Sequence, residues 1–167
     1  HARQTAAAAD AGKHVLVEKP MAMNTAQAHG MIEICRQNGV KLMVGHMIRF
    51  SPLALRMQQL VAGGFIGQPV AVRADFFYDA RLSQRTWLFD PRVAGGGPVF
   101  DIGVHCLDTL RFVLQDEVVA IRAELRPPPS RDHTESSAQI ALKFSDGTLG
   151  SVFCSFETPI RRARLEI

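Results

Sequence analysis

Clustered positive charge is missing from this sequence, and tryptophan and tyrosine, two of the stacking side chains that nucleic-acid surfaces use, are scarce. The 167 residues contain 19 Lys and Arg against 16 Asp and Glu, a net charge of +3, with one Trp and one Tyr. Basic residues are scattered apart from Arg161, Arg162 and Arg164, which excludes the contiguous basic footprint expected of a DNA or RNA binder. Cysteine is scarce as well. Cys35, Cys106 and Cys154 are far apart, odd in number and never in CxxC spacing, which excludes a disulfide framework and a structural zinc site and fits a reducing compartment, the cytoplasm. No apolar run is long enough to cross a bilayer, and residues 1–13 have neither the basic start nor the apolar stretch of a secretion signal. A G-x-G-x-x-G turn is also absent: Gly95, Gly96 and Gly97 are contiguous, and Gly63, Gly64 and Gly67 follow a helical stretch rather than a strand.

What is present is 47% hydrophobic and 21% charged, the composition of a folded globular chain with one core. The alanine-rich opening reads as the end of a helix stopped by Gly12. His14 to Val17 reads as a short buried strand running into Glu18-Lys19-Pro20, and Asn24 caps a helix through Asn38 with Ala28, Met31, Ile32 and Cys35 on one face. Val40 to Val44 gives a second strand. This alternation predicts the tail of a doubly wound α/β sheet over residues 1–46. From Ser51 the pattern changes. A helix with Leu53, Leu55, Met57, Leu60 and Val61 is followed by alternating strands at 69–78, 119–125, 138–144 and 149–156, with a hairpin turn at Asp146-Gly147 and a further strand from Arg161. Two of these, through Val70, Val72, Ala74 and Phe76 and through Val119, Ile121, Ala123 and Leu125, read as half-buried. A continuous helix from about Pro98 to Leu114 is expected across one face of that sheet.

Two constellations carry chemistry: Glu18-Lys19-Pro20 at a strand end, and the three glycines at 95–97 followed by Asp101, His105 and Asp108. With AGKHVLVEKP (11–20), VGHMIRFSP (44–52), GGFIGQPV (63–70), GGGPVFDIGVHCLDTL (95–110) and SDGTLGSVFCSF (145–156), the chain resembles the glucose-fructose oxidoreductase and inositol dehydrogenase family, Gfo/Idh/MocA, over nearly its whole length. The resemblance implies the remnant of a dinucleotide-binding Rossmann domain (1–46). It implies a substrate-binding and dimerisation domain after it (47–167, truncated at its carboxyl end), an α+β fold with an open, mostly antiparallel sheet covered by helices. It implies NAD or NADP as cofactor, hydride transfer to or from a sugar, inositol or related polyol, and self-association through the open sheet face. Lys19, Asp101 and His105 match the family's catalytic positions; Glu18, Lys19, Pro20 and Arg49 match cofactor-lining positions, and Trp87 a substrate-lining one. His46 and Met47 depart from the polar residues many relatives carry there, which leaves the substrate open.

The residues themselves support that chemistry. Oxidising a secondary alcohol removes a hydroxyl proton while hydride leaves carbon, so a base and a cation are both useful. Asp101 and His105, four apart on the expected helix, share a face, and Asp108 follows a turn later. An imidazole with an unperturbed pKa of about 6.5 suits the base. An ammonium at the carboxyl end of a parallel strand stands where open α/β sheets take ligands, and can stabilise alkoxide character. Asp101 would orient substrate or imidazole, and the glycines would let backbone approach a ligand. The plainer alternatives are a solvated ion pair at Glu18-Lys19, a satisfied helix histidine at 105, and a structural hydrogen-bonding role for Asp108, which is left outside the catalytic set. Asp101 and His105 alone make too thin a ligand set for a metal. Two other functions fit the same scaffold: a non-enzymatic ligand sensor or regulator, and an NAD-assisted hydrolase or isomerase. Lacking a glycine-rich phosphate turn, residues 1–167 by themselves are expected to bind nucleotide weakly or not at all and to be inactive.

Overall fold

A run of alanines closed by glycine is helical on propensity alone. In the computed structural model, which describes His1 to Ile167, the chain opens with helix α1 (Ala2–Asp10). Gly12, at φ +68°, takes the left-handed conformation just beyond it. Strand β1 (Val15–Val17), helix α2 (Thr25–Gln37) and strand β2 (Leu42–Val44) follow. Asn24 Oδ1 accepts from Gln27 N at 2.9 Å and closes the first turn of α2. β1 and β2 pair in parallel, Val15 opposite Leu42 and Val17 opposite Val44. Met31 and Cys35 are buried as expected. Ile32 is not: one residue on from Met31, it is turned about 100° round the helix and is half exposed. These elements form one compact unit, His1–His46; Met47–Ile167 form the other.

The second unit begins with a 3-10 turn (Met47–Phe50) and helix α3 (Pro52–Ala62). Ser51 Oγ caps α3 by accepting from Ala54 N at 3.2 Å, and Pro52 sits in the first turn, where a missing N–H costs nothing. Only Ala54 of this helix is buried; Leu53 and Leu55 are exposed. Strand β3 (Ala71–Asp79) leads through two 3-10 turns (Ala80–Leu82 and Thr86–Phe89) to the one-turn helix α4 (Pro91–Ala94). A wide π-type turn (Val99–Gly103) then runs into helix α5 (Val104–Leu114), so the single continuous helix expected over 98–114 is two structures. Strands β4 (Val118–Arg126), β5 (Ser137–Phe144), β6 (Leu149–Ser155) and β7 (Glu157–Glu166) complete the unit.

The strands form one open sheet in the order β4-β5-β6-β3-β7, antiparallel throughout except between β6 and β3. Gly147, at φ +96°, makes the β5–β6 turn, which Asp116 secures by accepting from the Ser145 hydroxyl and from Asp146 N. Val72, Ala74, Ile140, Leu142, Phe144, Val152 and Cys154 project to one face of the sheet and pack with Ile102, Cys106 and Leu110. The half-buried alternation expected for β4 is not found. Ile121 opposes Leu142 and so points to the core face, yet Val119 and Ile121 are 60% and 63% exposed. β4 is an edge strand, with a register shift beside Val119, while α5 packs over β3. On the opposite face Phe77 and Phe153 meet edge to face at 5.8 Å.

Candidate active site

The approach to α5 is set by three glycines with three separate duties. Gly95, at φ +76°, ends α4 in the left-handed conformation. A Cβ on Gly96 would lie 2.3 Å from the Phe100 ring, and one on Gly97 would lie 1.9 Å from the Glu135 carbonyl oxygen. The close approach that Gly96 and Gly97 permit is to the protein's own chain. Glu135 is buried there, and its Oε1 accepts from Val99 N at 3.1 Å, placing a carboxylate at the amino end of the wide turn, where the helix dipole favours it.

Asp101 lies in that wide turn and His105 in the first turn of α5; both are buried. Because the turn is wider than an α-helical one, the simple four-residue face argued from sequence does not describe them. Single π-type turns of this kind recur at functional sites. Asp101 is gripped by two residues that sequence reasoning did not single out. Tyr78, near the end of β3, donates from its hydroxyl to Asp101 Oδ2 at 2.9 Å, and Arg85 stands 3.4 Å from Oδ1 and 3.5 Å from Oδ2. Burial and the neighbouring Asp101 charge push the Tyr78 phenol up to about 12. One signal could have flagged it: Tyr78 is the chain's only tyrosine.

Asp108, one turn beyond His105, holds Arg49 in a fork, with Arg49 Nε 2.8 Å from Oδ2 and Nη2 2.5 Å from Oδ1; the guanidinium also lies over the Phe112 ring at 5.5 Å. The hydrogen bond to Asp108 raises the Arg49 pKa. This contact ties the Met47–Phe50 turn to α5. A cavity of about 150 Å³ beside His105 is lined by Ile48, Met57, Phe76, Thr109 and Leu165 among others. Trp87, in the Thr86–Phe89 turn, is 46% exposed.

In the first unit Glu18, Lys19 and Pro20 directly follow the carboxyl end of β1. Glu18 is exposed and its Oε2 accepts from Lys19 N at 3.3 Å; Lys19 and Pro20 are half-buried. At the end of the neighbouring parallel strand, Gly45 N donates to Val17 O at 2.8 Å, which keeps the two strand ends side by side. Carboxyl ends of adjacent parallel strands are the edge at which open α/β sheets take nucleotides, so these residues fit one end of a dinucleotide. No group of three His, Cys, Asp or Glu side chains is placed to hold a metal ion, and no helix is long and apolar enough to cross a membrane.

With this geometry in hand, comparison with known proteins is specific. Residues 54–167 match the model of the GFO/IDH/MocA C-terminal domain, and residues 1–46 match that of the oxidoreductase family with an NAD-binding Rossmann fold. The chain belongs to the Gfo/Idh/MocA family. Among family members, the 1,5-anhydro-D-fructose reductase of Ensifer adhaerens is 33% identical over all of this chain and 50% of its own length. The NADP-dependent D-xylose 1-dehydrogenase of Haloarcula marismortui is 32% identical over 69% of this chain and 33% of its own. The aldose-aldose oxidoreductase of Caulobacter crescentus, solved with glycerol, superposes with a TM-score of 0.88 at 31% identity, covering 99% of this chain and 50% of its own. The chain thus spans about half the length of the curated Gfo/Idh/MocA relative it matches end to end.

Proposed function

We propose that these residues belong to an NAD(P)-dependent oxidoreductase acting on a CH–OH group of a sugar, inositol or related polyol, with Lys19, Asp101 and His105 as its catalytic set. The observation that carries this reading is the buried aspartate and histidine on the wide turn and the first turn of α5, in a chain that keeps a lysine at the end of a parallel strand. Nicotinamide, when bound, supplies the hydride acceptor or donor. His105 takes the proton from the substrate hydroxyl, the Lys19 ammonium stabilises developing alkoxide charge, and Asp101 orients the substrate. Glu18 and Pro20 flank Lys19 and line the nicotinamide end of the cofactor, and Trp87 lines the substrate.

Support comes from three directions: the match of residues 1–46 to an NAD-binding fold, the matched sugar reductase and dehydrogenase, and the chemistry of the three side chains. We place the working protein in the cytoplasm, where its three buried thiols remain free, and as a homo-oligomer associating through the sheet face that carries Phe77 and Phe153. The test of the activity is an assay of the complete enzyme with NAD or NADP against aldoses, anhydrosugars, inositols and cyclic diols, reading reduced nicotinamide. Turnover of at least one sugar or polyol is expected; cofactor binding with no turnover across the panel would contradict the reading and favour a sensor. Sedimentation at high concentration checks the assembly, and a strictly monomeric species would contradict it.

A further inference from the structure

We propose that Tyr78 and Arg85 are positioning residues for this oxidoreductase, jointly fixing the Asp101 carboxylate toward substrate; the assignment rests on the role given to Asp101 above. Tyr78, Arg85 and Asp101 form a closed set of hydrogen bonds. Arg85 Nη2 is 2.6 Å from the Tyr78 hydroxyl oxygen, that hydroxyl is 2.9 Å from Asp101 Oδ2, and Arg85 also faces both carboxylate oxygens. A guanidinium can only donate, so the tyrosine oxygen accepts from Arg85 and its one proton goes to Asp101. With its pKa raised to about 12, Tyr78 remains that donor over the working pH range.

Both gripping groups are themselves held. The Tyr78 ring meets Phe156 edge to face at 5.4 Å, and Phe156 is buried and in turn meets Phe89 at 6.2 Å, so the ring cannot swing without repacking. Arg85 donates from its backbone N and its Nε to Ser83 Oγ at 3.1 and 3.3 Å, which points the guanidinium at Asp101. An ionised carboxylate can be gripped by two such donors and still accept from a substrate hydroxyl. Misplacement of a positioned group by about 1 Å can cost about 100-fold in rate, so loss of this grip should appear in turnover.

A double-mutant cycle in the complete enzyme, with its cofactor and best substrate, provides the test. Tyr78→Phe keeps the ring packing and removes one hydroxyl; it should lower kcat by about 10-fold to 100-fold while KM stays within about threefold and the protein stays folded at the assay temperature. Arg85→Gln, at an exposed side chain, should act in the same direction, and Arg85→Lys should restore part of the loss. In an Asp101→Asn background, Tyr78→Phe should cost less than about twofold, because its effect passes through the carboxylate already removed. The same loss in both backgrounds would overturn the proposal, as would near-normal turnover of Tyr78→Phe and Arg85→Gln alongside a severe Asp101→Asn. Near-normal turnover of Asp101→Asn itself is a separate outcome: it would remove Asp101 from the catalytic set, and this positioning role with it.

Discussion

Residues 1–46 and 47–167 present their candidate catalytic groups in different ways. In the first, Lys19 follows a two-stranded sheet of three-residue strands, and the apolar interior is small: Ala9, Val17, Met31 and Cys35. Leu16 and Met43, paired in register across that sheet, are 72% and 51% exposed, although parallel sheets are ordinarily covered on both faces. In the second, Asp101 and His105 sit on a helical segment laid over a five-stranded sheet, and the aspartate is gripped by a tyrosine and an arginine that are themselves anchored. The difference teaches that one candidate group depends on local strand-end geometry, while the candidate aspartate is over-determined by its surroundings.

The largest effect expected is on turnover. Lys19→Ala and His105→Ala in the complete enzyme should each lower kcat by about 10²-fold to 10⁴-fold with the protein still folded; normal rates for either would break the comparison by removing one region from the chemistry. Next come glycines, which contrast the two regions directly. Gly97→Ala, with backbone 1.9 Å from the new Cβ, should destabilise the second unit by about 3 kcal/mol in denaturant titration. Gly12→Ala, left-handed but with open space around it, should cost only about 1 kcal/mol. Similar values for both would show that packing around the three glycines is looser than described.

Arg49→Ala leaves the buried Asp108 carboxylate without its fork, and solvent access to the arginine keeps the expected loss near about 1 kcal/mol. A smaller response to pH follows from Tyr78, Cys106 and Cys154. Their folded pKa values lie above the ordinary ones, at about 12 against 10.0 for the phenol and 9.0 for the thiols. Each neutral form is therefore favoured by folding, so this stability is complete below pH 9 and is lost as pH rises toward 12. Thermal unfolding should be steady below that window and fall within it, with a shallower fall in Tyr78→Phe; a flat profile would contradict the burial of these groups. Smallest of all is Ile121→Thr on the exposed edge strand, expected within about 0.5 kcal/mol of the parent.

Periodicity made much of this architecture legible. Gly12, Asn24, Ser51 and Gly147 mark their turns and caps because each acts through its own backbone neighbourhood. What periodicity could not convey is cover. Ile121 has the right phase for the core face, but whether a helix reaches over an edge strand is decided by strand order, which is not a local property. The wide turn at Val99–Gly103 escaped because a π-type turn differs from an α-helical one in hydrogen-bond spacing, which residue types do not display. At the site, Asp101 and His105 were singled out through family resemblance, whereas Tyr78 and Arg85 lie 23 and 16 residues before Asp101 and meet it only through the fold. Arg49 was visible but its partner was not: Asp108 is 59 residues away.

The central claim is hydride transfer at a substrate carbon, and isotope transfer tests it most directly. Sugars and polyols carrying deuterium on the reacting carbon are turned over by the complete enzyme with oxidised NAD or NADP, and the nicotinamide product is analysed by mass spectrometry. The account predicts that deuterium moves to the nicotinamide and that Lys19→Ala and His105→Ala slow its appearance without redirecting it. Deuterium released to water, with the nicotinamide product unlabelled, would contradict it.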